Sequence, residues 1–298
     1  MLTAFLMIML ILLYSFQFFF CKKYADSYPG DGELASPTFT VVSGVTVVFI
    51  SLCFMRFEFS AQPLTWLLGA LNALAIIGSN IFLVKCSRNG PFTIMQVFAV
   101  AGGIIGPTLT AWFGFGVELS LLKWLGVIAV IGGVYLASDK GKANGGAADM
   151  TFTPAFIPLC FCLALSNATY ASLTDVQQRL TGEGEKEEMV LITYAVAATV
   201  SLIMLLARSR GSFAPFRQTR ASLIFLAITS VCVGLAINLF VIIVPLLDDI
   251  TLLQTFNNAG ILLCSAILSF IFFGERFTRA NIIGYCVMCG ALVLVSVF

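Results

Sequence analysis

Runs of about 20 mostly apolar residues alternate with short polar breaks along almost all of the chain. A helix needs roughly that length to cross the hydrocarbon of a bilayer, and an open backbone has no other way to satisfy its polar groups there. The runs fall at 2–21, 37–55, 64–84, 91–113 and 121–138, then at 152–173, 189–207, 221–247, 250–273 and 281–298. Ten spans and their connectors account for all 298 residues, which predicts an all-α polytopic membrane protein with no soluble domain. The first run is read as a retained span rather than a secretory leader. It lacks a basic start, its apolar stretch exceeds the usual 7–15 residues or so, and Lys22 and Lys23 follow it directly.

Composition narrows the chemistry. Hydrophobic residues make up 59% of the chain and charged ones 10%, with a mean hydropathy of +1.01 and no histidine. Water-facing domains carry about 25% charged residues, so a soluble enzyme is excluded. The missing imidazole removes a Ser-His-Asp triad and a His-bound metal. No nucleophile–base pair is visible, and the reading is not an enzyme. A net charge of +1 gives no footprint for nucleic acid. The nine cysteines all sit in or beside apolar runs, and Cys286-x-x-Cys289 has no histidine or carboxylate near it in the sequence. They are read as free, small apolar side chains, with no metal and no cofactor.

The polar stretch 139–151 divides the chain into a first five-span unit, 1–138, and a second, 152–298. Sliding the chain by 158 residues aligns 80–138 with 238–296 without a gap. The matches include Asn80 with Asn238, Thr93 with Thr251, Gln96 with Gln254, Gly102 with Gly260, Gly116 with Gly274, Gly126 with Gly284 and Gly132 with Gly290. Apolar matches are cheap in such a composition; amides and glycines in register over three spans are not. Because each unit holds an odd number of spans, the second copy enters the membrane from the opposite side. That predicts two inverted five-helix repeats, an architecture in which substrate binds near the midplane where the repeats meet.

The final segment, FFGERFTRANIIGYCVMCGALVLVSVF, resembles the end of an EamA-type member of the drug/metabolite transporter superfamily: Gly274-Glu275 closes the ninth span, and Asn281, Gly284 and Gly290 punctuate the tenth. The resemblance covers the whole chain, since that family is built from two inverted five-helix repeats. The first copy departs from it, with Gly116-Val117-Glu118 where Gly-Glu would stand. The resemblance implies carriage of small metabolites, often amino acids or related compounds, with the first helix of each repeat bordering a central cavity.

Polar groups inside a span are costly in lipid and face a cavity or another helix. Gln254 and Asn258, with Asn257 beside them, mark one face of the ninth span, and Gln96 marks the equivalent face of the fourth. Asn80 and Asn238 hold equivalent places in the third and eighth spans. Tyr14 and Gln17 lie one turn apart in the first, and Asn167 and Tyr170 in the sixth. These ten residues are the candidates for substrate contact. The alternative for each amide is an interhelical hydrogen bond worth roughly 0.6–2 kcal/mol. Pro107 and Pro245 predict kinks suited to gating. Small-residue stripes, Gly102 with Gly106, Gly126 with Ala129 and Gly133, and Gly284 with Ala291, allow close helix contact either within one chain or between two copies in a homodimer.

No Asp, Glu, Lys or Arg lies near the centre of any run, and Lys85, Asp175, Asp248 and Asp249 all fall at run ends. Proton-coupled carriers rely on an ionisable group in the pathway. The reading is therefore a carrier that moves a small neutral or zwitterionic metabolite, amino-acid-like or amphipathic, by alternating access, with coupling through a border carboxylate such as Glu275 as the alternative. A lipid or lipid-linked sugar flippase and a non-transporting membrane scaffold also fit the sequence. Connectors after odd-numbered spans hold twelve Lys and Arg, against four after even-numbered ones. The positive-inside rule then puts both termini outside, whereas the resemblance implies cytoplasmic termini, so the direction of transport stays open. The expected location is a bacterial cytoplasmic (inner) membrane, with a small-molecule substrate and the bilayer as partners.

Overall fold

A computed structural model describes residues 2–29, 32–137, 153–181, 185–212, 214–246, 250–275 and 278–297; the linker 139–151 and the acidic pair Asp248-Asp249 lie outside them. Ten α-helices form among the described residues. They are α1 (Leu2–Ser27), α2 (Gly32–Phe54), α3 (Pro63–Asn89), α4 (Phe92–Phe115), α5 (Leu121–Ala137), α6 (Phe156–Thr181), α7 (Lys186–Arg208), α8 (Arg220–Ile243), α9 (Ile250–Leu268) and α10 (Arg279–Val297). A π-helical turn, Ser269–Phe273, extends α9.

Eight of these helices are long and apolar enough to cross a membrane, while the apolar stretches Leu121–Ala137 and Arg279–Val295 are shorter. At 1.5 Å per residue the Leu121–Ala137 helix spans about 26 Å, a little under the ~30 Å hydrocarbon core. The protein is thus an all-helical, multi-pass membrane protein. Large apolar side chains such as Phe5, Phe49, Phe113, Leu121, Ile203 and Phe270 are exposed around its outer face, as lipid contact requires.

The helices gather into two triads and two pairs. α1 packs on α8 and α9, α6 packs on α3 and α4, and α2 pairs with α7 while α5 pairs with α10. Further contacts join α2 to α8, α3 to α7 and, more lightly, α1 to α3 and α4 to α9. Small residues permit the closest approaches. A Cβ built on Gly102 would lie 2.1 Å from the Ala164 carbonyl oxygen, and one on Gly106 2.5 Å from that of Ala168, so α4 and α6 touch backbone to backbone. Gly126 and Gly133 meet Ala291 and Gly284 along the α5–α10 seam. Each of these stripes is therefore occupied inside a single chain.

Helix ends are closed by local geometry. α2 and α7 both end in a left-handed arginine, Arg56 and Arg210, each with φ +53°. α4 and the turn after α9 both end in a left-handed glycine, Gly116 and Gly274, each with φ +64°, where an L side chain would be strained. Pro107 lies inside α4, and Pro245 in the single 3-10 turn after α8. The nine cysteines are free, with Cys86 and Cys160 3.7 Å apart between α3 and α6.

Candidate functional site

A cavity of about 140 Å³ opens where α1, α2, α3, α6, α7 and α8 face one another. Tyr14, Ser43, Asn167, Tyr170 and Tyr194, all on its wall, sit close to the midpoints of their helices, so the cavity lies about halfway through the bundle. A water-sized position takes roughly 10–15 Å³ of such space, so the cavity holds a solute of about ten heavy atoms. Five rings line it, Tyr14, Phe18, Phe39, Tyr170 and Tyr194, together with aliphatic Ile76, Leu83, Val233 and Ile237. Its polar wall is Gln17, Ser43, Ser79, Asn80 and Asn167, and among the described residues no charged side chain belongs to the lining.

The polar residues divide by whether they already have partners. Ser79 Oγ donates to Asn167 Oδ1 at 2.6 Å, and Asn167 Nδ2 donates to the Ala99 carbonyl at 3.2 Å, which ties α3 and α4 to α6. Ser43 Oγ donates to the Phe39 carbonyl of its own helix at 2.7 Å. Gln17 differs, because its Oε1 is buried without a partner among the described residues. The Asn80 amide likewise makes no hydrogen bond among them. A buried unpaired acceptor costs about 1–3 kcal/mol, and on a cavity wall a bound molecule or water relieves that cost.

Five of the ten residues expected from the sequence therefore line one cavity: Tyr14, Gln17, Asn80, Asn167 and Tyr170. Four of the others stand elsewhere. Gln96 is buried between α4 and α9, with Nε2 donating to Ser265 Oγ at 3.2 Å. Asn238 is buried and donates to Ser51 Oγ at 3.0 Å and to the Gly234 carbonyl at 2.8 Å, joining α8 to α2. Asn257 is buried on α9, and Asn258 is half-buried next to it. Gln254 stands on α9 and Pro245 just after α8, but both side chains lie outside the described set. The contributions of α2 and α7, Phe39, Ser43 and Tyr194, were missed. Ser43 and Tyr194 offered only a hydroxyl and a phenol in mid-run, without the amide that marked the other helices, and Phe39 offered no polar signal.

One end of the bundle is closed by charges. Lys22 Nζ on α1 donates to the carbonyls of Ser87 and Gly90 at 2.9 and 3.1 Å, capping the C-terminus of α3. The Glu275 carboxylate, just beyond α9, accepts from the backbone N–H groups of Phe92 and Thr93 at 2.5 and 3.2 Å and from the Thr93 hydroxyl. It neutralises the N-terminus of α4, where a helix presents unpaired donors and the positive end of its dipole. Lys22 and Glu275 both belong to the α1 side, and the helix ends they cap belong to the α6 side. The two triads are therefore clasped together at this corner.

No family model matches the chain, and no curated protein matches it. Solved structures do. One, known simply as a crystal structure of a protein, aligns with a TM-score of 0.61 over 99% of this chain and 97% of that one, at 16% sequence identity. At that identity the likeness shows the fold alone: another chain of nearly the same extent adopts this helix arrangement.

Proposed function

We propose that the chain is a carrier of the drug/metabolite transporter type, which moves a small neutral or zwitterionic metabolite across a membrane by alternating access. The observation that carries this reading is the mid-height cavity, walled by six helices from both halves of the chain and lined, among the described residues, without charge. Inverted repeats are supported by the contacts around it. Counting five helices on turns the triad of α1, α8 and α9 into that of α6, α3 and α4, and turns the pairs α2–α7 and α5–α10 into themselves. Arg56 and Arg210, with equal φ, are 154 residues apart, and Gly116 and Gly274 are 158 apart. The contacts Gly126–Ala291 and Gly133–Gly284 are images of each other at the same spacing of 158.

Ten membrane crossings follow from this reading, with α5 and α10 as the short ones. The self-paired helices would lie on the pseudo-two-fold axis, and the triads would rock about them. Opening towards the α3–α4 corner would break both the Lys22 and the Glu275 clasps, while opening the other way would keep them. The basic connectors favour a cytoplasmic position for that corner, in a bacterial inner membrane.

The test is solute flux in proteoliposomes, with counterflow to separate a carrier from a leak. Saturable uptake of at least one neutral or zwitterionic solute, accelerated by unlabelled solute on the far side, is the expected outcome. Rates equal to protein-free vesicles across amino acids, nucleosides, nucleobases, amines and sugars would overturn the reading.

A further inference from the structure

The cavity carries more information than its position, because its wall restricts the chemistry of what it can hold. A free amino acid brings a carboxylate and an ammonium group. Removing either from water without a partner is costly. Among the described residues, the lining contains no Lys, Arg, Asp or Glu. The nearest device at hand for a carboxylate would be a helix N-terminus, but the six helices around the cavity run unbroken past it, so their backbone N–H groups are already bonded within the helix. Lys22 and Glu275 are committed to helix ends at the α3–α4 corner. A zwitterion therefore meets no opposite charge among the described residues of the wall.

What the wall offers instead is flat apolar surface with a few open polar positions. Its five aromatic rings suit the face of a planar ligand by stacked or edge-on contact. Gln17 presents a buried Oε1 without a protein donor, and the Asn80 amide and the hydroxyls of Tyr14, Tyr170 and Tyr194 have no hydrogen-bond partner among the described residues. A ring N–H directed at Gln17 satisfies that acceptor, and ring nitrogens or carbonyls can take donors from Asn80 or the phenols. The size, about ten water-sized positions, matches one ring or two fused rings. Aromatic rings also attract cations, but aliphatic Ile76, Leu83, Val233 and Ile237 complete the wall and no carboxylate balances a positive charge.

We infer that the cavity takes an uncharged planar heteroaromatic solute bearing a ring N–H, of the nucleobase or indole class, and rejects free amino acids and organic cations. This narrows the carrier reading of the same site, on which its transport role rests; binding alone does not depend on it. Isothermal titration calorimetry on the purified full chain in detergent tests it, with adenine, uracil and indole as uncharged planar probes. Tryptophan adds a zwitterion to the indole ring, tetraethylammonium supplies a cation, and glucose supplies an uncharged non-planar solute. Saturable binding of at least one planar probe is expected, at least tenfold tighter than tryptophan, tetraethylammonium and glucose. Gln17→Leu should weaken that probe at least tenfold, and Gln17→Asn, a gentler change should the first not fold, at least threefold.

Tighter binding of tryptophan or tetraethylammonium than of every planar probe would overturn the inference, as would no saturable binding of any planar probe, or unchanged affinity in a folded Gln17 variant. Flux of another solute without binding of these probes would end this inference and leave the carrier intact. Binding of a planar probe with no flux of anything would do the reverse.

Discussion

The α3–α4 corner and the central cavity treat polar groups in opposite ways. At the corner, Lys22 and Glu275 are charged, partly buried and fully engaged, each on the backbone end of a helix from the opposing triad. In the cavity no charged side chain lines the wall among the described residues, yet Gln17 and Asn80 have no hydrogen-bond partner among them. Satisfied polar groups hold a structure together, while unsatisfied ones on a cavity wall cost stability until something binds. On the proposed reading, the difference separates where this molecule is held together from where it would take its solute. It also explains why substitutions in the two regions should move different observables.

The largest effect is expected where packing leaves no space at all. Gly102→Leu drives a side chain into the Ala164 backbone, and a loss of about 3 kcal/mol or more, or failure to recover folded protein, should show in detergent thermal melts and size-exclusion chromatography. Next comes Glu275→Ala, which strips the N-terminus of α4 of its carboxylate and should cost about 2–3 kcal/mol, read as a lowered Tm. An unchanged Tm would mean that the corner is not a clasp. Gln17→Leu sharpens the comparison from the other side. It removes a buried acceptor that has no partner, so Tm should hold or rise slightly while affinity for a planar probe falls at least tenfold, roughly 1.4 kcal/mol. A large drop in Tm would place Gln17 with the structural amides. The smallest effect belongs to Asn72→Leu, which breaks the 3.2 Å bond to Thr174 between α3 and α6 but also removes an Oδ1 buried without a partner among the described residues. The two partly offset, so at most about 1 kcal/mol of stability should go, with affinity for the probe within about twofold.

Much of this architecture is legible in the sequence. Helices run through all ten apolar runs, although α1 continues to Ser27, past Lys22 and Lys23, because those lysines reach neighbouring carbonyls and rings instead of ending the helix. The glycine stripes announced close contacts, but their partners were not legible: Gly126 and Gly133 find α10 of the same chain, and Gly102 finds α6. Among the amides, Gln17, Asn80 and Asn167 face the cavity, whereas Gln96 and Asn238 donate to Ser265 and Ser51 between helices, the Gln96 Oε1 being buried without a partner among the described residues. All five have the same chemistry and sit in similar apolar surroundings, so local sequence gives no means of sorting them.

The sequence by itself determined that the chain is helical and membrane-embedded, because lipid permits apolar runs of this length little else. It also determined that charges are kept to helix ends, because a bare charge in hydrocarbon is too costly. Only the tertiary structure decided which polar side chains are paired and which are left facing empty space. A hydrogen bond needs two groups within about 3 Å, and helices far apart in the chain are brought that close by packing alone.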